Sequence, residues 1–503
     1  MSSQQRGKSK QFWKEVLWIV PGRILRQIPS SSLSGLHPAL KKKQPGIIIR
    51  AMLVLLLIFS SYTGPAAYAQ NWTPACDNLE IDPARLKQAQ TAGHSLDEYR
   101  FGAVSSSGAL YISQILNQDA PRFNLEVPED AGLYGREAGS SIPYTLLVCY
   151  PSATDNPHPD YAVPGTDLVI PAMRPGNGKY YFSHDQPFPL VVISHGLLMD
   201  PLDKRIFELA RSGYVAAALF HGDGRFPFPS LLDLTRIEQF SLRPLAISRT
   251  IDYMLKNHPA REIIDPVRIG GVGASIGGLA MFSLTGAWII GPDHWSTRQT
   301  ALDPRISAAA GIVPYMGTRG IPFPVLGISA QGARQAHIPY MAVSSLFDPV
   351  ADIQAVERAL NQKPGDAFLV SLDSHKHYLS DPAIDLSFKW ILAFMDTYLQ
   401  AKPDNEYLLT PGNSLESSVG NSLTLARTDS LSYINETFDA VEALVPDLLP
   451  PATTQELDEI LFRSYPGHNY LAVYSHELYW ISQSRAAPLG PLMYWWSMLA
   501  RSG

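Results

Sequence analysis

Residues 268–281 read RIGGVGASIGGLAM, with Ser275 between Gly273 and Gly277, straight after an apolar run. A serine hydroxyl is a weak nucleophile by itself. It needs a base to take its proton, a group to orient that base, and donors for the oxyanion that forms on attack. Gly-x-Ser-x-Gly between a strand and a helix predicts a sharp, strained turn that lifts Oγ above the sheet edge. Side chains two before and two after the serine would meet neighbouring backbone, so glycine is required there. The same turn puts the N–H of Ile276 at a helix N-terminus, where it can face an oxyanion. The competing reading is an ordinary serine in a glycine-rich loop.

The partners are sought at other strand ends. In VVISHGLLMD a buried strand ends at Ser194 and a His-Gly turn follows. In hydrolases with such an elbow, a turn of this kind after an early strand supplies the second oxyanion N–H, and Leu197 is the candidate. His195 reads as a structural turn residue, because it precedes the serine in the chain. In IPYMAVSSLFDPVAD, Asp348 lies just past a strand and is the candidate acid. Asp352 is its runner-up, and a helix N-cap is the competing role for Asp348. In FLVSLDSHKHYLSD the register puts His377 at the turn tip as the base, with His375 as the alternative. A His-x-His pair also suits a metal, but no Cys and no nearby acidic cluster completes a ligand set. No metal or organic cofactor is therefore expected.

The elements that must position these groups alternate. FPLVVIS, YVAAALF, VRIGGVG, RISAAAGI, IPYMAVSS and DAFLVSL are continuous apolar runs, as expected for strands buried on both faces. DKRIFELARSG, LRPLAISRTIDYMLKN, DIQAVERALNQ and DLSFKWILAFMDTYLQ have helical spacing. The alternation predicts an α/β domain over about 141–402, with a mostly parallel, doubly wound sheet that begins at IPYTLLVCYP. Residues 70–140 read as an N-terminal extension. Residues 403–503 read as a helical C-terminal segment of unassigned role. Its Trp495 and Trp496 suit packing against the main domain or contact with a membrane surface.

At 503 residues, 46% hydrophobic and 17% charged, the chain is globular, and a net charge of −6 gives no footprint for nucleic acid. That total conceals a split. Residues 1–69 hold ten Lys/Arg against Glu15 alone. A basic flank (Lys41, Lys42, Lys43, Arg50) precedes an apolar run from Ala51 to Phe59, and Ala67-Tyr68-Ala69 has the A-x-A form of a cleavage site. Residues 1–69 are expected to be a signal peptide with a long basic N-region, placing the protein in the periplasm or outside the cell. The alternative is an uncleaved anchor at residues 47–59. The two cysteines, Cys76 and Cys149, both follow the cleavage site and would pair in an oxidising compartment.

Taken together, the chain resembles the α/β-hydrolases that include the platelet-activating-factor acetylhydrolases and the dienelactone-hydrolase-like esterases. The resemblance covers about 141–402. It rests on LLVCYPS, SHGL, RPLAISRTIDYML, DPVRIGGVGASIGG and DPRISAAAGIVP. The order Ser275, Asp348, His377 is the order of that fold. By the match to the acetylhydrolases, the oxyanion N–H groups are those of Leu197 and Ile276. The chain departs from the pattern at Ala274, where the family elbow commonly has histidine, and at LLMD after the oxyanion turn. The dienelactone hydrolases proper use cysteine where this chain has Ser275.

The expected function is an exported serine esterase that hydrolyses a small-molecule or lipid-like carboxylic ester through an acyl-enzyme. A lipase or polyester depolymerase of the same fold is the first alternative. A non-catalytic binding protein on a hydrolase fold is the second, and a membrane-tethered interaction protein the third.

Overall fold

A computed structural model describes residues 71–427, except 106–107, 198, 226–237, 291–296, 300–301, 318–324, 401 and 403–407. The expected signal peptide, the 47–59 run and residues 428–503, with Trp495 and Trp496, lie outside the described residues.

Ten strands form one sheet. In chain order they are β1 (Thr73–Cys76), β2 (Arg122–Glu126), β3 (Ser141–Ser152), β4 (Phe188–Ser194), β5 (Val215–Phe220), β6 (Ile264–Ala274), β7 (Ile306–Ile312), β8 (Tyr340–Ser345), β9 (Ala367–Leu372) and β10 (Asn421–Arg427). The spatial order is β1-β3-β5-β4-β6-β7-β8-β9-β10, with β2 also on β3. From β5 to β9 every pairing is parallel. The pairings of β1, β2 and β5 with β3, and of β10 with β9, are antiparallel. The protein is thus α/β with a mixed, mostly parallel sheet.

The apolar runs form strands because both sheet faces are covered. Leu190 and Val192 of β4 join one core cluster and Val191 joins the other, so successive side chains alternate between faces. Each fully buried Val or Leu of this kind stabilises the fold by about 1.5–3 kcal/mol. The first core includes helices α2 (Glu238–Lys256), α3 (Ile276–Leu284) and α4 (Ile353–Gln362). The second includes α1 (Arg205–Arg211) and α5 (Asp381–Leu399). α1, α2, α4 and α5 lie where the apolar spacing predicts them, and α3 where the Gly-x-Ser-x-Gly turn predicts a helix. Among the described residues, no helix is long and apolar enough to cross a membrane.

The sheet draws on more of the chain than 141–402. β1 and β2 come from the segment read as an extension, and β10 comes from the segment read as helical. In NSLTLAR the apolar residues Leu423 and Leu425 are two apart, the spacing of one strand face. Leu423 nevertheless joins one core and Leu425 packs on the other, because the register with β9 shifts between Leu369 and Val370. Asn421 ties this edge to α5 by accepting from Trp390 Nε1 at 3.1 Å.

Cys76 and Cys149 face each other across β1 and β3 and are disulfide-bonded. The bridge closes a loop with a sequence separation of 73. On the chain-entropy account this is worth about 4 kcal/mol.

The chain leaves β4 toward β5 on one side and leaves β6 toward β7 on the other. The carboxyl ends of β4 and β6 therefore flank a topological switch point, where open α/β sheets form a crevice.

Candidate active site

β6 ends at Ala274 and α3 begins at Ile276, so the whole reversal falls on Ser275. Its φ of 52° is left-handed, a conformation that costs a non-glycine residue free energy. Three hydrogen bonds hold it there. Ser275 N donates to Ile312 O at 2.9 Å, and Ser275 O accepts from Tyr315 N at 3.0 Å and Leu279 N at 3.2 Å. The flanking glycines are demanded by contact. A Cβ on Gly273 would lie 2.1 Å from Gly277 O, and one on Gly277 would lie 2.2 Å from Ser194 O. The two glycines thus let the elbow close on itself and let α3 press against the end of β4.

Asp348 lies in the turn after β8 and is buried. Its Oδ1 accepts from Val350 N at 2.7 Å and Ala351 N at 2.9 Å, which leaves Oδ2 aimed at His377. Asp352 does not face the histidine. It is the N-cap of α4, accepting from Gln354 N at 3.3 Å. The cap role weighed for Asp348 therefore falls four residues on.

His377 sits in the turn after β9. Its Nδ1 is 2.7 Å from Asp348 Oδ2 and its Nε2 is 2.9 Å from Ser275 Oγ. With Nδ1–H donating to the carboxylate, Nε2 is free to accept from the hydroxyl. The two turns are laced together. Leu346 N donates to Leu372 O at 3.0 Å, and Ser345 Oγ donates to Lys376 O at 3.0 Å. His375 points elsewhere, stacked on Phe347 with ring centroids 4.5 Å apart.

Leu197 lies in the turn after β4, next to Gly196. A Cβ on Gly196 would come within 3.7 Å of Ser275 Cβ, so this turn runs beside the nucleophile candidate. Ile276 N–H is the first of α3 and has no acceptor within the helix. Among the described residues, neither Leu197 N–H nor Ile276 N–H donates to a protein acceptor.

His195 is structural, as its place in the chain predicts. It is buried, its Nδ1 donates to Gly196 O at 2.7 Å, and its Nε2 accepts from His221 N at 3.0 Å. Burial, with the Arg243 charge nearby, pushes its pKa down to about 4 and keeps the ring neutral.

Sequence reasoning missed Arg243 and Asp223. Both are buried, and Arg243 Nη2 donates to Asp223 Oδ2 at 2.6 Å. The signal was present in α2. Arg243 shares a helical stripe with Ile247, Thr250 and Met254, all buried, and a cation on an apolar stripe requires a partner. No group of three or more potential metal ligands occurs among the described residues. No protein-family model matches the chain, and no curated protein matches it.

Proposed function

We propose that this protein is a serine hydrolase of the α/β-hydrolase fold that cleaves carboxylic esters. The observation that carries this is the chain Ser275 Oγ to His377 Nε2 at 2.9 Å, continued by His377 Nδ1 to Asp348 Oδ2 at 2.7 Å. The mostly parallel sheet, with each of the three groups just past a strand's carboxyl end, supports the fold assignment and agrees with the resemblance in sequence.

The chemistry follows from the donors and acceptors. Ser275 Oγ attacks the ester carbonyl carbon while His377 Nε2 takes its proton. The carbonyl oxygen becomes an oxyanion held by the N–H groups of Leu197 and Ile276. Asp348 keeps His377 in the right tautomer and stabilises the imidazolium. Collapse of the tetrahedral intermediate breaks the ester C–O bond, and His377 returns the proton to the leaving alcohol. Water, deprotonated by His377, then attacks the acyl-enzyme and releases the acid and Ser275.

A second reading, a lipase or polyester depolymerase, is favoured by the surroundings. Met199, Leu346, Phe347, Val350 and Tyr378 are large apolar side chains left exposed, and each lies within three residues of the oxyanion turn, Asp348 or His377. Such a rim suits an apolar acyl chain or an aggregated ester. The Cys76–Cys149 disulfide supports export to an oxidising compartment, as the 1–69 segment implies. A mature N-terminus at Gln70 is the expected result of N-terminal sequencing.

Labelling by a fluorophosphonate tests the nucleophile. Wild type should label and Ser275→Ala should not; equal labelling of the two would remove Ser275 from the role. A series of p-nitrophenyl esters of increasing acyl length then separates a short-chain esterase from the second reading.

A further inference from the structure

We infer that Arg243, anchored by Asp223, is a positioning residue that aims the oxyanion donor of the turn after β4, the Leu197 N–H. The inference rests on the proposed hydrolase reading and adds a part to it.

The argument is one of peptide planes. In a trans peptide the C=O and the N–H that follow one another point in opposite directions. The carbonyl of His195 shares its plane with the N–H of Gly196, and the carbonyl of Gly196 shares its plane with the N–H of Leu197. Whatever fixes these two oxygens fixes the direction of the two amides. Arg243 Nη1 donates to His195 O at 2.5 Å, and Nη2 reaches Gly196 O at 3.4 Å. His195 Nδ1 adds the shorter bond to Gly196 O, at 2.7 Å. Both carbonyls thus point toward buried donors, and both amides turn away from them. A Cβ on Gly196 would lie 3.7 Å from Ser275 Cβ, so an oxyanion formed by attack of Ser275 would lie within reach of this turn.

Asp223 sets the guanidinium in turn. Its Oδ2 takes Nη2 at 2.6 Å, with both side chains almost wholly buried. A planar fork held by a carboxylate at one tip and a carbonyl at the other has little freedom to rotate. A buried cation also makes any outward swing of the carbonyls unfavourable, because the charge would lose its acceptors. The turn is therefore preorganised before substrate arrives, which is the condition for an oxyanion site to accelerate reaction.

Lysine at 243 keeps the charge opposite Asp223 but cannot bridge the carboxylate and the two carbonyls. Arg243→Lys should lower kcat on a p-nitrophenyl ester by about 10²-fold, the scale of losing one oxyanion donor, with KM within about twofold of wild type. A loss of fold is monitored by thermal melting. Should Arg243→Lys melt early, the neutral pair Arg243→Met with Asp223→Leu removes the buried charge altogether and is measured in its place.

The decisive readout is the ratio of kcat/KM on an ester to that on the matching thionoester. Sulfur is a poor hydrogen-bond acceptor, so the ratio reports the aim of the N–H donors. It should fall in the variant. Unchanged kcat, or a lower kcat with an unchanged ratio, would overturn the inference and leave the hydrolase reading intact. Turnover that survives in Ser275→Ala would remove the hydrolase reading itself.

Discussion

Among the described residues, two histidines each meet a buried aspartate, and the two pairs are built for opposite uses on the proposed reading. Asp348 Oδ2 meets His377 Nδ1 at 2.7 Å, and Asp77 Oδ2 meets His258 Nε2 at 2.8 Å. By distance and carboxylate burial the two are equivalent. They differ on the far side of the ring. His377 offers Nε2 to the hydroxyl of Ser275 and its side chain keeps 10% exposure. His258 has its other nitrogen, Nδ1, taken by the N–H of Ala260 at 3.1 Å, and its side chain is 1% exposed. Asp77 is also fully engaged, by Arg174 Nε at 2.6 Å, Tyr180 OH at 2.9 Å and Asn78 N at 2.6 Å. An acid–imidazole pair becomes chemical machinery only when the second ring nitrogen is left for a reacting group. Closed on both sides, the same pair is a clamp, here joining the segment after β1 to the loops around residues 174–180 and 258–260.

That contrast predicts separable failures. Ser275→Ala should abolish ester turnover, by about 10⁶-fold on the proposed reading, with the urea midpoint little changed, since alanine keeps the left-handed backbone and gives up only the hydrogen bond of Oγ with His377. Steady-state assay of purified protein checks it, and turnover above a hundredth of wild type would refute the assignment. Asp348→Asn should cost about 10⁴-fold in kcat, since the amide favours the wrong tautomer of His377. A loss in kcat no larger than that of Asp352→Asn would instead make Asp348 a turn residue only.

The clamp should fail the other way. His258→Ala leaves Asp77 short of a partner and Ala260 N–H without an acceptor, which should cost about 3–5 kcal/mol of stability. Urea unfolding measures the loss, while kcat per folded molecule should stay within twofold. If His258→Ala removes turnover without shifting the urea midpoint, the two pairs are not functionally distinct.

The Asp348–His377 pair was legible in sequence because each member follows a strand buried on both faces, and such strands announce themselves as continuous apolar runs. The elbow glycines likewise carry their reason in their spacing. The clamp was not legible, because Asp77, Arg174 and His258 are about a hundred residues apart and nothing local in DNLEID or NHPAREI marks a meeting point. Arg243 was half legible, as a cation on a buried stripe whose acceptors, His195 O and Gly196 O, are backbone atoms that no side-chain motif records. β1 and β2 were missed because four- and five-residue edge strands, one containing Pro74, lack the length for a clear period. β10 was missed because NSLTLAR is too short to outweigh the helical spacing in the residues after it.

The smallest predicted effect is the pH dependence of the clamp. Burial raises the pKa of Asp77, but the hydrogen bond and charge of His258, the charge of Arg174 and the N–H of Asn78 more than reverse this. The net pKa lies below the ordinary 3.8. A carboxyl with a lowered folded pKa binds fewer protons folded than unfolded as acid is added, so stability falls with pH in that range. The contribution of Asp77 is fully present above about pH 3.8 and is lost as pH drops through the lower folded value. The gap in urea midpoint between wild type and Asp77→Asn should therefore be flat from neutral pH down to about 5, then narrow on further acidification. A gap for Asp77→Asn that stays constant to pH 3, or widens there, would mean that the clamp holds by packing and not by charge.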